Sequence, residues 1–211
     1  DVNNNGIADP GETLLNSGTV DSGVSAGALS PLLLAAGSNA ASVAAPDTFT
    51  GTVWYVDNSA AAGGDGTAAH PFNSLAAVSG ASGPDVAGDI IYVRTGNAPY
   101  TGGITLLDGQ TLWGENQALV VNGVTLQAAG GDPTITNAGG NGVTLAHDNT
   151  LKGFTVGDTS GADITDGGGT VGNLTVSNVN LTGTGQAIDI DQGGNLDVTI
   201  DNLVSTSSTA Q

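Results

Sequence analysis

A stretch of twelve residues occurs twice in the middle of this chain, and the repeat limits the folds available to it. Residues 103–114 align with residues 142–153, and seven of the twelve positions are identical or exchange Ile for Val. Farther along, residues 176–179 align with residues 200–203 at an offset of 24 (200 − 176). Repeats of this length indicate stacked units, each of which buries its apolar face against the next one.

Each repeat unit contains two or three short apolar runs separated by Gly, Asn and Asp, without helical periodicity. Ile164 and Ile188 also share the offset of 24 (188 − 164). A coil of this length stacks on the next at the interstrand spacing of about 4.8 Å. We therefore predict an all-β fold, a right-handed single-stranded parallel β-helix, over residues 52–211.

The first offset of 39 (142 − 103) is longer than the second. We attribute the difference to an extended loop within residues 115–141. Asn178 and Asn202 share the shorter offset, which favours an asparagine ladder along one turn. No cap follows Asn202, so we expect either further coils or a docked subunit at that end.

Residues 1–51 form a separate region in our interpretation, a calcium loop followed by an Ala/Ser/Gly-rich linker or N-terminal cap. Within it, residues 29–37 fit a short apolar helix that plugs the end of the solenoid, with a loosely ordered linker as the alternative. Because Asp1 stands directly inside a motif, we expect the chain to be a piece of a longer protein.

The first twelve residues match the spacing of a calcium-binding loop. Gly6 allows the sharp turn, and oxygen ligands fall at the required positions. The predicted Ca²⁺ ligands are Asp1, Asn3, Asn5, Ile7 through its backbone carbonyl, Asp9 and Glu12. An Asn/Gly-rich turn is the alternative. Since no entering helix precedes Asp1, the loop resembles the lone loops of dockerin-like repeats and favours a structural extracellular site over a sensor.

Charge excludes several partners. The chain has 20 acidic and 2 basic residues, a net charge of -18, and no Cys. Nucleic acids and anionic lipids are bound mainly through Lys and Arg, so neither is expected as a partner. No apolar stretch is long enough for a membrane helix, and we expect no membrane insertion.

Candidate chemical groups have structural alternatives that we favour. Asp189 and Asp191, with Asp197 and Asp201 nearby, fit an acidic pair for glycoside hydrolysis or calcium, but also a solvated face. Repeated threonines predict a regular surface for carbohydrate or ice, or simply good strand residues. The remaining candidates are a turn at residues 63–67 with Asp65 as a second cation ligand, surface His70 and His147, sugar-stacking or packing Trp54 and Trp113, and the threonines Thr105, Thr111, Thr144 and Thr150.

Several segments resemble the opening coils of pectin-lyase-like β-helix proteins, in particular the repeat regions of large bacterial surface proteins, adhesin- or autotransporter-like. They are residues 53–57, 64–67, 71–75, 88–93 and 107–115. The resemblance implies the fold, but this fold hosts enzymes and non-enzymes alike.

The lyase activity of that family requires a basic residue as the base and a basic groove for an anionic glycan. This chain offers only Arg94 and Lys152. We therefore predict no enzyme activity, with a polysaccharide lyase or hydrolase as the alternative. The prediction is a calcium-stabilised structural or adhesive module, secreted or on the cell surface. We expect it to form a homo-oligomer or polymer through the solenoid ends and to bind a glycan or another cell-surface ligand.

Overall fold

The computed structural model describes residues 48–192 and 196–206, the backbone alone for residues 196–203. The described residues belong to one compact unit that begins at Thr48. They are mostly strands and turns, and helix is limited to two short 3-10 turns, Leu75–Val78 and Gly80–Ser82. The all-β prediction is confirmed. The predicted calcium loop and the predicted helix at residues 29–37 lie outside the described residues.

The larger sheet, sheet A, has eight strands, and every pair in it is parallel. Its main path runs β1-β2-β5-β10-β12-β14, while β3 and β8 join it beside the second half of β10. The strands are β1 (Val53–Val56), β2 (Ile90–Val93), β3 (Tyr100–Thr101), β5 (Thr111–Gly114), β8 (Thr134–Thr136), β10 (Thr150–Gly157), β12 (Gly172–Thr182) and β14 (Leu196–Thr206).

The second sheet, sheet B, has four parallel strands in the order β13-β11-β9-β4. From β8 onwards the chain alternates between the two sheets. Two further strands form a separate antiparallel hairpin. The strands of sheet B are β4 (Ile104–Thr105), β9 (Val143–Thr144), β11 (Ala162–Thr165) and β13 (Gln186–Asp189), and those of the hairpin are β6 (Leu119–Val121) and β7 (Val124–Gln127).

The strand register follows the sequence repeats. In sheet A, Leu112 pairs with Leu151, the offset of 39, and Val176 pairs with Ile200, the offset of 24. In sheet B, Ile164 pairs with Ile188. Equivalent residues of the repeat therefore lie side by side on neighbouring strands. The extra residues of the longer repeat unit include the hairpin β6–β7, which lies within the predicted loop at residues 115–141.

The glycine that ends both copies of the twelve-residue repeat lies where the chain changes from one strand partner to another. Gly153 interrupts β10 with φ of 74°, and the strand pairs with β5 before it and with β8 after it. A Cβ atom on Gly114 would lie 2.0 Å from the carbonyl oxygen of Gly153, so no side chain fits there. One strand farther on, Asn178 takes the same position with φ of 51°, a conformation that Asn tolerates better than most residues.

Both sheets contribute to one aliphatic core. Sheet A contributes Ile91, Leu112 and Leu151, and sheet B contributes Val143 and Ile164. All five side chains are fully buried. Removal of such side chains from water supplies about 25 cal/mol per Å². The Val, Ile and Leu positions of the repeat are thus the ones that hold the two sheets together.

The first edge of each sheet is covered by the chain itself. Beside β1, Tyr55 N donates to Gly66 O at 2.8 Å and Phe72 N donates to Tyr55 O at 2.9 Å. Beside β4, Thr105 N donates to Ser79 Oγ at 3.0 Å. Residues 66–79 therefore cap this end of both sheets, whereas the cap predicted within residues 1–51 lies almost wholly outside the described residues.

Candidate functional site

The outer face of sheet A carries a row of aromatic side chains. Each residue of the row pairs with the next one across strands β1, β2, β5 and β10, in the order Tyr55, Tyr92, Trp113 and Lys152. The three aromatic residues form a second apolar cluster with Leu119 of the hairpin, which is fully buried. The hairpin therefore closes this face of sheet A against solvent.

The hairpin turns at Asn122-Gly123, where both residues have positive φ of 51° and 77°. Asn-Gly between two apolar runs is the strongest short hairpin signal, so the sequence contained this element although we predicted only a loop. The Asn122 side chain accepts a hydrogen bond from Phe49 N at 2.8 Å and donates to Phe49 O at 3.0 Å. The turn thereby fixes the start of the described chain.

Both basic side chains make structural contacts. Arg94 lies 3.8 Å from the Asp57 carboxylate and donates to Ala68 O at 2.9 Å. The Lys152 ammonium lies 3.2 Å from the centre of the Trp113 ring. Their strands are separated by β5, which places them about 10 Å or more apart at the usual strand spacing. They do not converge on one point as the base and the partner of a lyase site would.

The acidic candidates do not share one strand. Strand β13 ends at Asp189, and Asp191 lies beyond it, so the two carboxylates predicted as an acidic pair do not lie on one strand. Asp197 and Asp201 lie on β14 in sheet A, whereas β13 lies in sheet B.

Asp166 holds the segment that follows β13. Its carboxylate accepts hydrogen bonds from Asp191 N at 2.8 Å, Gln192 N at 2.9 Å and Gly168 N at 2.9 Å. Burial by itself raises the pKa of Asp166, but these three donors outweigh it and keep the pKa below its usual value. Asp166 lies in the connection that follows β11 and was not predicted from the sequence.

Asp163, on β11, is fully buried. Its Oδ1 accepts a hydrogen bond from Thr159 Oγ1 at 2.9 Å, while its Oδ2 has no hydrogen-bond partner. Burial raises the pKa of Asp163 to about 6, against the effect of the Thr159 hydrogen bond. A buried carboxylate with one unsatisfied oxygen destabilises the folded state when it is charged.

Three buried polar residues occupy the same place just before strands β2, β5 and β10. Asp89, Gln110 and Asn149 each accept a hydrogen bond from the backbone N–H three residues earlier, at 2.7 to 3.0 Å. Asn149 Nδ2 also donates to Leu107 O at 2.8 Å, so it ties the start of β10 to the segment before β5. The signal was present in the sequence, because Gln110 and Asn149 align in the repeat.

The two histidines are exposed, as expected. His147 Nδ1 lies 2.7 Å from Asp148 Oδ2, a partner that the sequence analysis did not consider. Hydrogen bonds from the backbone and side chain of Asn173 are the main cause of a lowered Asp148 pKa. The Asp65 carboxylate is likewise exposed and is bonded to Thr67 within its own turn.

Both tryptophans pack within the protein. Trp54 stacks on Phe72 with ring centres 5.9 Å apart and donates from Nε1 to Asp89 Oδ2 at 2.8 Å. Trp113 is 7% exposed beneath the hairpin. These contacts give each tryptophan a structural role.

The threonines singled out in the sequence form two separate rows. Thr111 pairs with Thr150 on sheet A, and Thr105 pairs with Thr144 on sheet B. The second pair lines a surface cavity of about 240 Å³. Its other lining residues are Gly103, Ile104, Asn137 and Asn141. This cavity is the candidate binding site, and every polar side chain that lines it is neutral.

Comparisons with protein-family models, characterised proteins and solved structures gave no match. Within residues 48–192 and 196–206, no group of three or more His, Asp or Glu residues is arranged to hold a metal ion. Nor does this part of the chain contain a helix long and apolar enough to cross a membrane.

Proposed function

We propose that this chain is a structural and adhesive module of an extracellular or bacterial surface protein, built as a right-handed parallel β-helix. The observation that carries the proposal is the register: equivalent repeat residues pair in parallel on successive strands, in two sheets that the chain visits in turn. A chain that returns to the same sheet beside its previous strand advances by one strand spacing per coil. Such a coil is a rod in which each unit contacts its neighbours.

Side-chain contacts between neighbouring coils support the proposal of a rod. Arg94 and Lys152 are engaged in contacts on the outer face of sheet A, and the buried amide and acid side chains bond backbone groups of neighbouring coils. The long parallel contact between β12 and β14 continues the same geometry. These side chains are used to fix one coil to the next.

Self-association is proposed for one end. Strand β1 is covered by residues 66–72, whereas β14 pairs with β12 alone among the described strands. The edge strand of a parallel sheet can accept a further coil or a strand of another copy. Small-angle scattering over a concentration series tests this: we expect an elongated particle whose mass rises with concentration. A compact particle would contradict the rod, and constant mass would contradict self-association.

Calcium is proposed to stiffen the first region. Asp1, Asn3, Asn5, Ile7, Asp9 and Glu12 would hold Ca²⁺ through carboxylate, amide and carbonyl oxygens, the ligands that this ion prefers. Extracellular sites of this kind bind with dissociation constants of about 10⁻⁴ to 10⁻³ M. At 10 mM calcium this corresponds to about 1.4 to 2.7 kcal/mol of stabilisation of the loop.

Calorimetric titration with CaCl₂ checks the calcium proposal. We expect binding by the unaltered chain and its loss in Glu12→Gln, which removes the bidentate ligand. The matched control is Asp21→Asn, which removes the same charge from the same region outside the loop and should bind normally. Equal weakening in both variants would mean that general negative charge, and not the loop, attracts the ion.

A further inference from the structure

The cavity on the outer face of sheet B has walls of two kinds. One wall is the threonine pair Thr105 and Thr144, whose strands pair in parallel, so that the two residues lie about 4.8 Å apart. The other wall is the loop at residues 137–141, which contributes Asn137 and Asn141. Gly103 lies close beneath the loop, where a Cβ atom would be 2.2 Å from Asn141 O.

The loop is fixed in place by its own hydrogen bonds. Asn137 Nδ2 donates to Asn141 O at 2.7 Å, and Asn141 Oδ1 accepts from Ala162 N at 2.8 Å. The backbone carbonyl of Asn137 accepts from Ser160 N at 3.0 Å. These bonds tie the loop to β11 and to the residues that precede this strand. The cavity is therefore already formed before a ligand binds, which lowers the entropy cost of binding.

The chemistry of the walls selects the ligand. No carboxylate lines the cavity, so a cation would find no negatively charged partner there. No Lys or Arg lines it either, so an anionic group would find no positively charged partner. Threonine hydroxyls and asparagine amides both donate and accept hydrogen bonds, as sugar hydroxyls do. A net charge of -18 on the chain further disfavours acidic glycans.

We propose that this cavity binds one residue of a neutral oligosaccharide, with Thr105, Thr144 and Asn141 as the hydrogen-bonding residues. The inference deepens the adhesive part of the proposed function, on which it rests, by naming the ligand class. The cavity of about 240 Å³ equals the liquid volume of about eight waters, which suits a single sugar ring with its neighbours in solvent. The site binds weakly, in the millimolar range, because no aromatic ring lines it, and several copies along a filament multiply the effect.

Protein-observed NMR titration tests the proposal on the full chain. The probes are cellotetraose, mannotetraose and N-acetylchitotriose as neutral sugars, and trigalacturonate as the acidic one. We expect saturable shifts of the Asn137 and Asn141 side-chain amide signals with at least one neutral probe. Trigalacturonate should give none.

Three variants place the binding. Thr144→Val and Thr105→Val keep the side-chain shape and remove one hydroxyl, so each should weaken binding by about three- to tenfold. Thr111→Val is the matched control, since it removes a hydroxyl from the paired threonine row of sheet A. It should leave binding unchanged.

The proposal is overturned if no neutral probe saturates, if trigalacturonate binds more tightly than every neutral probe, or if Thr111→Val weakens binding as much as Thr144→Val. None of these outcomes changes the scattering profile or the calcium titration. Failure of the sugar site is thus distinguishable from failure of the proposed module.

Discussion

The outer faces of the two sheets differ although the same repeat builds both. On sheet A, Tyr92 and Trp113 lie beneath a hairpin whose Leu119 completes a buried cluster. On sheet B, Thr105 and Thr144 line an open polar cavity. The inner faces of both sheets, by contrast, join one aliphatic core.

This difference shows that the outward positions of a strand take their role from the connection that crosses them. The connection between β5 and β8 folds over sheet A as the hairpin β6–β7, and the next connection, residues 137–141 between β8 and β9, lines the cavity on sheet B. Two successive connections therefore close one face and shape a cavity on the other. We therefore expect changes on sheet A to alter stability and changes in the cavity of sheet B to alter binding alone.

The largest effect is expected from the hairpin contact with sheet A. Leu119→Ala removes a fully buried side chain, which typically costs about 2–4 kcal/mol through lost burial and the remaining cavity. The neighbouring Val120 is 42% exposed, so Val120→Ala is the matched control and should cost less than about 1 kcal/mol. Urea unfolding measures both. Equal small losses would mean that the hairpin is an independent appendage.

The next effect concerns Asp163 and its dependence on pH. The pKa of about 6 in the folded state exceeds the ordinary value of 3.8, so the folded state binds the proton more tightly. Folding stability therefore rises as pH falls from about 7 to about 4, and the charged form costs on the order of 2–3 kcal/mol at neutral pH. Asp163→Asn should remove this pH dependence.

Thermal unfolding between pH 4 and pH 8 checks the Asp163 prediction. Asp191→Asn is the control, because Asp191 is exposed and does not contribute to the raised pKa of Asp163. It should keep the rise in stability towards acid pH. If Asp163→Asn and the unaltered chain showed the same dependence of stability on pH, other titratable groups would be the cause of the rise.

A smaller effect is expected from the polar row before the strands of sheet A. Asn149→Ala leaves the backbone groups of Ala146 and Leu107 without their side-chain partner, and a buried unsatisfied group costs about 1–3 kcal/mol. Asn116 is exposed, and Asn116→Ala should change stability by less than about 0.5 kcal/mol. Urea unfolding of the two variants measures the difference, and a loss as small as that of Asn116→Ala would contradict the role of the row.

The inward part of the fold was predictable because burial repeats along the chain. Leu112 and Leu151, or Ile164 and Ile188, occupy equivalent places in the repeat, so their identity in the sequence predicted their pairing. The glycine that ends both copies of the repeat was visible for the same reason. Gln110 and Asn149 were missed because alignment by identity ignores an exchange between two amides with the same hydrogen-bonding role.

The candidate site was predictable only in part. The repeat of Thr105 and Thr144 indicated a regular outer row, but not that Thr111 and Thr150 belong to another sheet. The position of the loop at residues 137–141 depends on long-range bonds such as that between Asn141 and Ala162. No local pattern encodes a contact between residues 21 positions apart, so the cavity required the structure.

The smallest expected effect concerns Lys152, on whose pKa two influences act in opposite directions. Burial lowers the pKa of its ammonium to about 8, whereas the face of Trp113, 3.2 Å away, attracts the charged form. Since the two forces oppose each other, Lys152→Met should change stability by less than about 1 kcal/mol. Fluorescence of Trp113 between pH 6 and 11 in a Trp54→Phe background reports the titration. We expect a midpoint near 8 that disappears in Lys152→Met, and a midpoint above 10 would show that attraction by the ring outweighs burial.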